Sequence, residues 1–159
     1  MIKNLVFAFF ILTFFSGCLK SKVASCNYDA CYDKAPDSEI QAVQDYLTSH
    51  GITNAQEHCS GLFYVIDNAG SGKQPTACSA VDVDYKGSLT DGTVFDQGTH
   101  YQTYFGNVIQ GWANGVPLIK TGGTIHLYIP PSLGYGSQPY GPIPANSILI
   151  FDITLNVVQ

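Results

Sequence analysis

The stretch Leu149-Ile150-Phe151-Asp152-Ile153-Thr154-Leu155-Asn156-Val157 decides the fold class of this chain. Leu149, Phe151, Ile153, Leu155 and Val157 take every second position, and Asp152, Thr154 and Asn156 fall between them. Side chains on an extended strand point alternately to its two faces, so the pattern predicts one dry face and one wet face. Strands buried on a single side belong to antiparallel sheets. The same period recurs upstream. Val81, Val83 and Tyr85 alternate with Asp82 and Asp84, and Ile125, Leu127 and Ile129 alternate with Thr124, His126 and Tyr128. Residues 61–66 are a further run of strand formers closed by the turn cluster at 67–72, and Thr93-Val94-Phe95 follows the turn Thr90-Asp91-Gly92. Within this block the helical candidate is the short piece around Trp112, in Gly-Asn-Val-Ile-Gln-Gly-Trp-Ala-Asn-Gly-Val (106–116), which holds the chain's one tryptophan. A sheet with one apolar face and a single short helix buries both by curling over the helix. Gly111 and Gly115, on either side of Trp112, are read as letting the backbone turn tightly into and out of that helix.

Ahead of the sheet block the chain changes character. Residues 1–15 carry one lysine before an unbroken apolar run, then Ser16-Gly17-Cys18. The run is too short to span a bilayer and reads as an export signal. It resembles a bacterial lipoprotein signal with Phe15 where leucine is usual, so residues 1–17 are expected to be removed and Cys18 to carry lipid. Leu19 stands where aspartate would retain the protein at the inner membrane, which favours the outer membrane, facing the periplasm, within the cell envelope. Residues 18–35 read as a polar tether without periodicity. Residues 36–60 read as a helical extension: Ser38-Glu39-Ile40-Gln41 fits a capping box, Ile40, Val43 and Leu47 share one face, and Gly51 offers a stop. Such a helix packs on the domain or mediates self-association.

Four more cysteines, Cys26, Cys31, Cys59 and Cys78, suggest two disulfides in an exported chain, in one of three pairings. Zinc is the rival because His58 abuts Cys59, but no Cys-x-x-Cys pair is present. No metal or other cofactor is called for. The chain has seven lysines, no arginine and twelve acids, for a formal charge of −5. That balance argues against nucleic acid as a partner, because phosphate must be neutralised. Membrane contact is left to the lipid anchor alone.

From Val81 onward the ordered blocks are Val83-Asp84-Tyr85-Lys86-Gly87, Asp91-Gly92-Thr93-Val94-Phe95-Asp96, Val108-Ile109-Gln110-Gly111-Trp112 and Ile129-Pro130-Pro131 with Gly134-Tyr135-Gly136. Gly141-Pro142-Ile143-Pro144-Ala145-Asn146 and Leu149-Ile150-Phe151-Asp152 complete the set. Together they resemble the FKBP-type peptidyl-prolyl cis-trans isomerases. The resemblance implies an α+β fold, an antiparallel half-barrel sheet curled around a short α-helix, here over residues 61–159 with the N-terminal helical extension before it. It implies a proline pocket in which Asp96, Tyr135 and Phe95 are catalytic and Tyr85, Val108, Ile109, Trp112, Ile143 and Phe151 bind substrate. Trp112 would lie under the prolyl ring, the Tyr135 hydroxyl and the Ile109 amide would hold substrate carbonyls, and Asp96 would sit beside the rotating carbonyl. The implied activity is prolyl isomerisation that assists folding of exported proteins, with a non-catalytic prolyl-peptide-binding chaperone or scaffold as the alternative. Partners are proline-containing extended polypeptides, and the family's macrolide inhibitors are compatible with the same pocket. Two departures bear on the site. Thr103 stands where the family often has an aromatic, with Tyr101 or Tyr104 as substitutes, and the arginine that often pairs with the pocket aspartate is absent, which leaves Tyr85 to orient Asp96.

Overall fold

The computed structural model describes residues 26–159, so the signal expected at residues 1–17 and the lipid site at Cys18 lie outside the described residues. In chain order the elements are α1 (Asp37–Ser49), β1 (Gln56–Glu57), β2 (Phe63–Asn68), β3 (Ala80–Ser88), β4 (Val94–Tyr104), α2 (Gln110–Gly115), β5 (Thr124–Ile129) and β6 (Leu149–Val158). The strands form one open antiparallel sheet in the order β1-β2-β5-β6-β3-β4. This is the expected α+β architecture: Leu127, Ile129, Ile153 and Leu155 are buried on the face that covers α2. No helix among the described residues is long and apolar enough to cross a membrane.

Helix α2 lies unusually close to the sheet. A Cβ on Gly111 would come within 2.6 Å of Ile129 Cγ2 and Cδ1, and one on Gly115 within 2.6 Å of Leu127 Cδ2. Neither glycine has the left-handed backbone that would demand glycine for its own sake. The expectation that they serve tight turns is therefore corrected: they are small because the helix backbone rests directly on β5.

Several strand positions depart from simple alternation: bulges interrupt β6 and β2, whereas Tyr128, expected on the wet face, is buried with the β5–β6 register unbroken. Val157 was expected inside but is half exposed, and Val158 is buried in its place. The β3–β6 pairing steps from Asp82↔Val157 to Val83↔Leu155, leaving Asn156 as the extra residue, and one inserted residue reverses the faces that follow. Asp82, expected on the wet face, is also buried. The Asn156 side chain donates to Asp82 Oδ1 at 3.1 Å and Asp84 Oδ1 at 2.8 Å, and the His100 amide donates to Asp84 Oδ1 at 2.7 Å. In β2 the extra residue is Asp67, and this brings its carboxylate to His126 Nε2 at 2.6 Å. Asp152, directly across from His126, meets its Nδ1 at 2.6 Å and the Lys86 ammonium at 2.9 Å. The outer face is thus cross-linked by polar groups from β2, β3, β5 and β6.

The extension packs on the domain. Ile40, Val43 and Leu47 are buried in the common core, as the spacing predicts, and β1 and β2 join the sheet. The helix begins two residues earlier than the capping box implied. The Pro36 carbonyl accepts from Glu39 N and Ile40 N, placing Ser38 within the first turn, and the Gln41 amide donates to Asp45 instead. Asp37 and Glu39 put negative charge near the first-turn amides, which favours that start. Gly51 ends the helix at φ +67, with Ile52 N reaching back to Leu47 O at 2.9 Å. The described part of the supposed tether is fixed as well. Cys26 is bonded to Cys78 and Cys31 to Cys59, which removes these thiols from the zinc reading and staples residues 26–36 to the domain. The Tyr28 hydroxyl donates to the Asn114 side-chain Oδ1 on α2, and Ala35 N donates to Ser60 O.

Two stability outcomes follow from this packing. Gly111→Ala gains about 1 kcal/mol of helix propensity but overpacks a stiff, buried isoleucine, at a cost of about 1–3 kcal/mol. The denaturant midpoint is expected to fall, and a rise would contradict the close approach. The Asp82 carboxyl is held below the ordinary range by the Asn156 hydrogen bond, and Asp84 by the His100 amide and Asn156. Burial pushes Asp152 upward, but Lys86 and His126 outweigh it and hold its pKa down. Carboxyls depressed in the folded state stabilise it above their unfolded pKa, near 4, and that stability is lost as pH falls through the folded values. The melting temperature is expected to drop below about pH 4, less steeply in Asn156→Ala.

Candidate active site

Phe95 and Asp96 begin the site because β4 bulges there. Gly87 pairs with Asp96 and Ser88 with Val94, leaving Phe95 as the extra residue. Neighbouring strand residues ordinarily face opposite ways, whereas the bulge turns both toward the concave side. Phe95 packs edge-to-face on Phe151 at 5.5 Å, and a Cβ on Gly87 would fall within 2.8 Å of both rings. Asp96 faces inward from the rim, where the Tyr85 hydroxyl donates to its Oδ2 at 2.8 Å. Tyr85 thus takes the orienting role left open by the absent arginine.

Trp112 lies at the crossing of these rings. It meets Phe151 at 5.2 Å and 87°, and Tyr85 at 5.1 Å and 77°. Edge-to-face contacts of this kind set positive ring edges against negative ring faces and fix ring orientation. Trp112 is 4% exposed, yet it lines an open cleft of about 450 Å³. Its indole nitrogen is buried without a protein acceptor among the described residues.

The cleft gathers most of the residues expected from sequence. Tyr85, Asp96, Val108, Ile109, Trp112, Tyr135 and Phe151 all line it. Phe95 and Ile143 do not: Phe95 backs Phe151 from behind, and Ile143 is buried beneath the loop after Tyr135. Ile109 has extended backbone as the residue before α2, so its amide lies outside the helical hydrogen-bond ladder. Thr103 is buried in β4, and Tyr101 rather than Tyr104 supplies the missing wall, edge-on to Tyr85 at 5.5 Å. Asn107 also lines the cleft and carries no periodic or motif signal in the sequence. Tyr140 also lines the cleft, stacked on Tyr135 at 4.4 Å.

The loop bearing Tyr135 is held by short bonds. Gly136 N donates to Pro131 O at 2.8 Å, and Asn146 N donates to Gly136 O at 2.9 Å, with Gly136 at φ +72. Burial pushes the Tyr85 hydroxyl pKa well above its ordinary value, and the hydrogen bond to Asp96 adds to it. Tyr135 is raised by burial and then by Tyr140, Asp96 and Tyr101. Both therefore remain neutral donors across the physiological range. The site holds no nucleophile–base pair. It offers an apolar floor, the Tyr135 hydroxyl as donor, a free backbone amide and one carboxylate oriented by Tyr85.

A family model described as FKBP-type peptidyl-prolyl cis-trans isomerase matches residues 71–156. The chain is 50% identical over 101 residues to the FKBP-type peptidyl-prolyl cis-trans isomerase FkpA of Buchnera aphidicola subsp. Schizaphis graminum, covering 60% of this chain and 40% of that protein. It is 36% identical over 139 residues to FkpA of Escherichia coli K12, covering 85% of this chain and 50% of that one. The chain thus spans about half the length, or less, of these curated relatives. Among solved structures, FkpA from Escherichia coli superposes with a TM-score of 0.69 at 35% identity, over 77% of this chain and 60% of that one. A peptidyl-prolyl cis-trans isomerase from Pseudomonas syringae pv. tomato superposes with a TM-score of 0.68 at 29% identity, over 79% and 98% respectively. In an absorbance titration, Tyr85→Phe and Tyr135→Phe are each expected to remove signal from the phase above pH 10, and loss from an earlier phase would contradict their burial.

Proposed function

The chain belongs to the FKBP-type peptidyl-prolyl cis-trans isomerases, and from that premise we propose that its cleft accelerates rotation about X-Pro bonds. The observation that carries the reading is that Trp112 floors an open cleft with Asp96 and Tyr135 at its rim, instead of lying sealed in the core. Amide resonance gives a rotation barrier of roughly 18–20 kcal/mol, and X-Pro bonds exchange over tens to hundreds of seconds. At the twisted midpoint conjugation is lost, and the charge separation it produced is lost with it. A cleft floored by Trp112 and Phe151 is a poor solvent for the planar, polar amide and a better one for the twisted form. A thousandfold acceleration requires about 4 kcal/mol of this difference.

The roles follow from position. Trp112, Phe151 and Val108 receive the pyrrolidine ring and exclude water. Phe95 and Ile143 act behind them, Phe95 by fixing the Phe151 ring. The Ile109 amide and the Tyr135 hydroxyl hold the carbonyls on either side of the bond. Asp96, aligned by Tyr85, stands beside the rotating carbonyl and favours its displaced orientation electrostatically. The rival reading, a prolyl-binding module without turnover, drew on Thr103; Tyr101 at the same wall weakens it. The family's macrolide inhibitors would compete for the same floor.

The setting we propose is the cell envelope, with Cys18 lipidated after removal of residues 1–17, the domain facing the periplasm from the outer membrane, and exported proline-containing chains as clients. Two disulfides within residues 26–78 support an oxidising compartment. Intact mass of the protein isolated from envelopes is expected to show a diacyl or triacyl adduct and the loss of four hydrogens. An unmodified Cys18 would overturn the anchor. In a prolyl-peptide assay on the folded chain, Asp96→Asn and Tyr135→Phe are each expected to lower kcat/KM by about tenfold or more, and Trp112→Leu at least as much. Background rates for the unaltered protein, or variants that all retain full activity, would refute the isomerase reading.

A further inference from the structure

We propose that the cleft prefers prolyl segments with a basic residue beside the proline, and that Tyr140 is the side chain that reads it; this rests on the isomerase reading and names its substrate class. Tyr140 stacks on Tyr135 with centroids 4.4 Å apart and planes 7° from parallel. One face is covered by that stack, and at 61% exposure the other face remains open to the cleft. The ring is held from its own backbone: Tyr140 N donates to Ile143 O and Ile143 N to Tyr140 O, both at 2.9 Å. It is a rigid aromatic plate at the mouth of the site.

An open aromatic face accepts an aliphatic chain, another ring or a cation, so the ring alone does not choose among them. Charge chooses. Among the residues lining the cleft, Asp96 is the one charged group, and no lysine is present. Two further carboxylates are bonded to chain neighbours of lining residues: Asp33 accepts from Gln110, next to Ile109, and Glu39 accepts from Ser132 N, three residues before Tyr135. The described lysines are engaged away from the cleft in three of four cases, Lys34 with Asp37, Lys86 with Asp152 and Lys73 with the Gln159 carbonyl, and the fourth, Lys120, does not line it. The tyrosine hydroxyls around Asp96 stay neutral, because burial raises Tyr85 and Tyr135, and they offer lone pairs to an ammonium or guanidinium group. A lysine or arginine beside the bound proline would lie over the Tyr140 face with its stem on the ring and its charge in a negative field. A glutamate there would meet Asp96 with no compensating cation.

The test compares peptides with Lys, Leu or Glu on either side of proline, at about 20 mM and about 500 mM salt, on the full chain. Two readouts are taken: kcat/KM for isomerisation, and affinity from quenching of Trp112, the chain's one tryptophan. With Lys in the preferred position, kcat/KM is expected to exceed that for Glu by about tenfold at low salt and about threefold at high salt, with Leu between. Tyr140→Leu is expected to shrink the Lys-to-Leu ratio to near one, and Tyr140→Phe to retain it. Equal values for Lys and Glu at both positions, or a ratio indifferent to salt and to Tyr140→Leu, would overturn the inference and leave the isomerase reading standing. If no peptide turns over but Lys peptides still quench Trp112 at the lowest concentrations, the isomerase reading fails and the charge preference survives.

Discussion

Everything in this molecule depends on how closely one turn and a half of helix can approach the sheet. Gly111 and Gly115 carry no side chain toward Ile129 and Leu127, so the α2 backbone settles directly on β5. That depth lets the intervening Trp112 reach both Tyr85 on β3 and Phe151 on β6. With a bulkier residue at either glycine the helix would ride higher, and the indole would leave the crossing point of those rings. Shape at the floor of the cleft is therefore set by two missing methyl groups.

The rest of the site is shaped by insertions in the strands. The extra residue in β4 turns Phe95 and Asp96 to the same side, one to brace a ring and the other to accept from Tyr85. Comparable insertions at Asp67 and Asn156 serve the opposite face, where they bring carboxylates and their donors into contact. A half-barrel needs curvature, and bulges supply it while re-aiming side chains. In this sheet these bulges, with a further one in β4 between Gly98 and Tyr101, bend the strands, build the cleft and cross-link the outside.

The dry face was legible in the period-two pattern as far as Leu155, and the helix under it from the single tryptophan between glycines. What the pattern cannot reveal is an inserted residue, because the composition on either side of it looks unbroken; hence Val157 and Val158 exchange places. Ser38 and Gln41 satisfied a local motif that lost to the Pro36 carbonyl one residue earlier than Asp37. The polar segment around residues 26–34 looked like tether because its order comes from covalent bonds and from Tyr28 against Asn114, neither of which leaves a hydrophobic period. Seven of the residues named from the ordered motif blocks line the cleft. Phe95 and Ile143 stand outside that lining, since a motif records which residues matter without saying whether they act at the surface or one layer behind it.

The Cys26–Cys78 bond also decides how the domain bears force. Tension applied to the chain ahead of Cys26 passes through the sulfur bridge to Cys78, two residues before β3, which is flanked by strands on both sides. The intervening α1, β1 and β2 lie outside that load path. A pull from the N-terminal side is thus shared among the ladders of an interior strand, where many hydrogen bonds must shear together, instead of peeling the extension away one bond at a time.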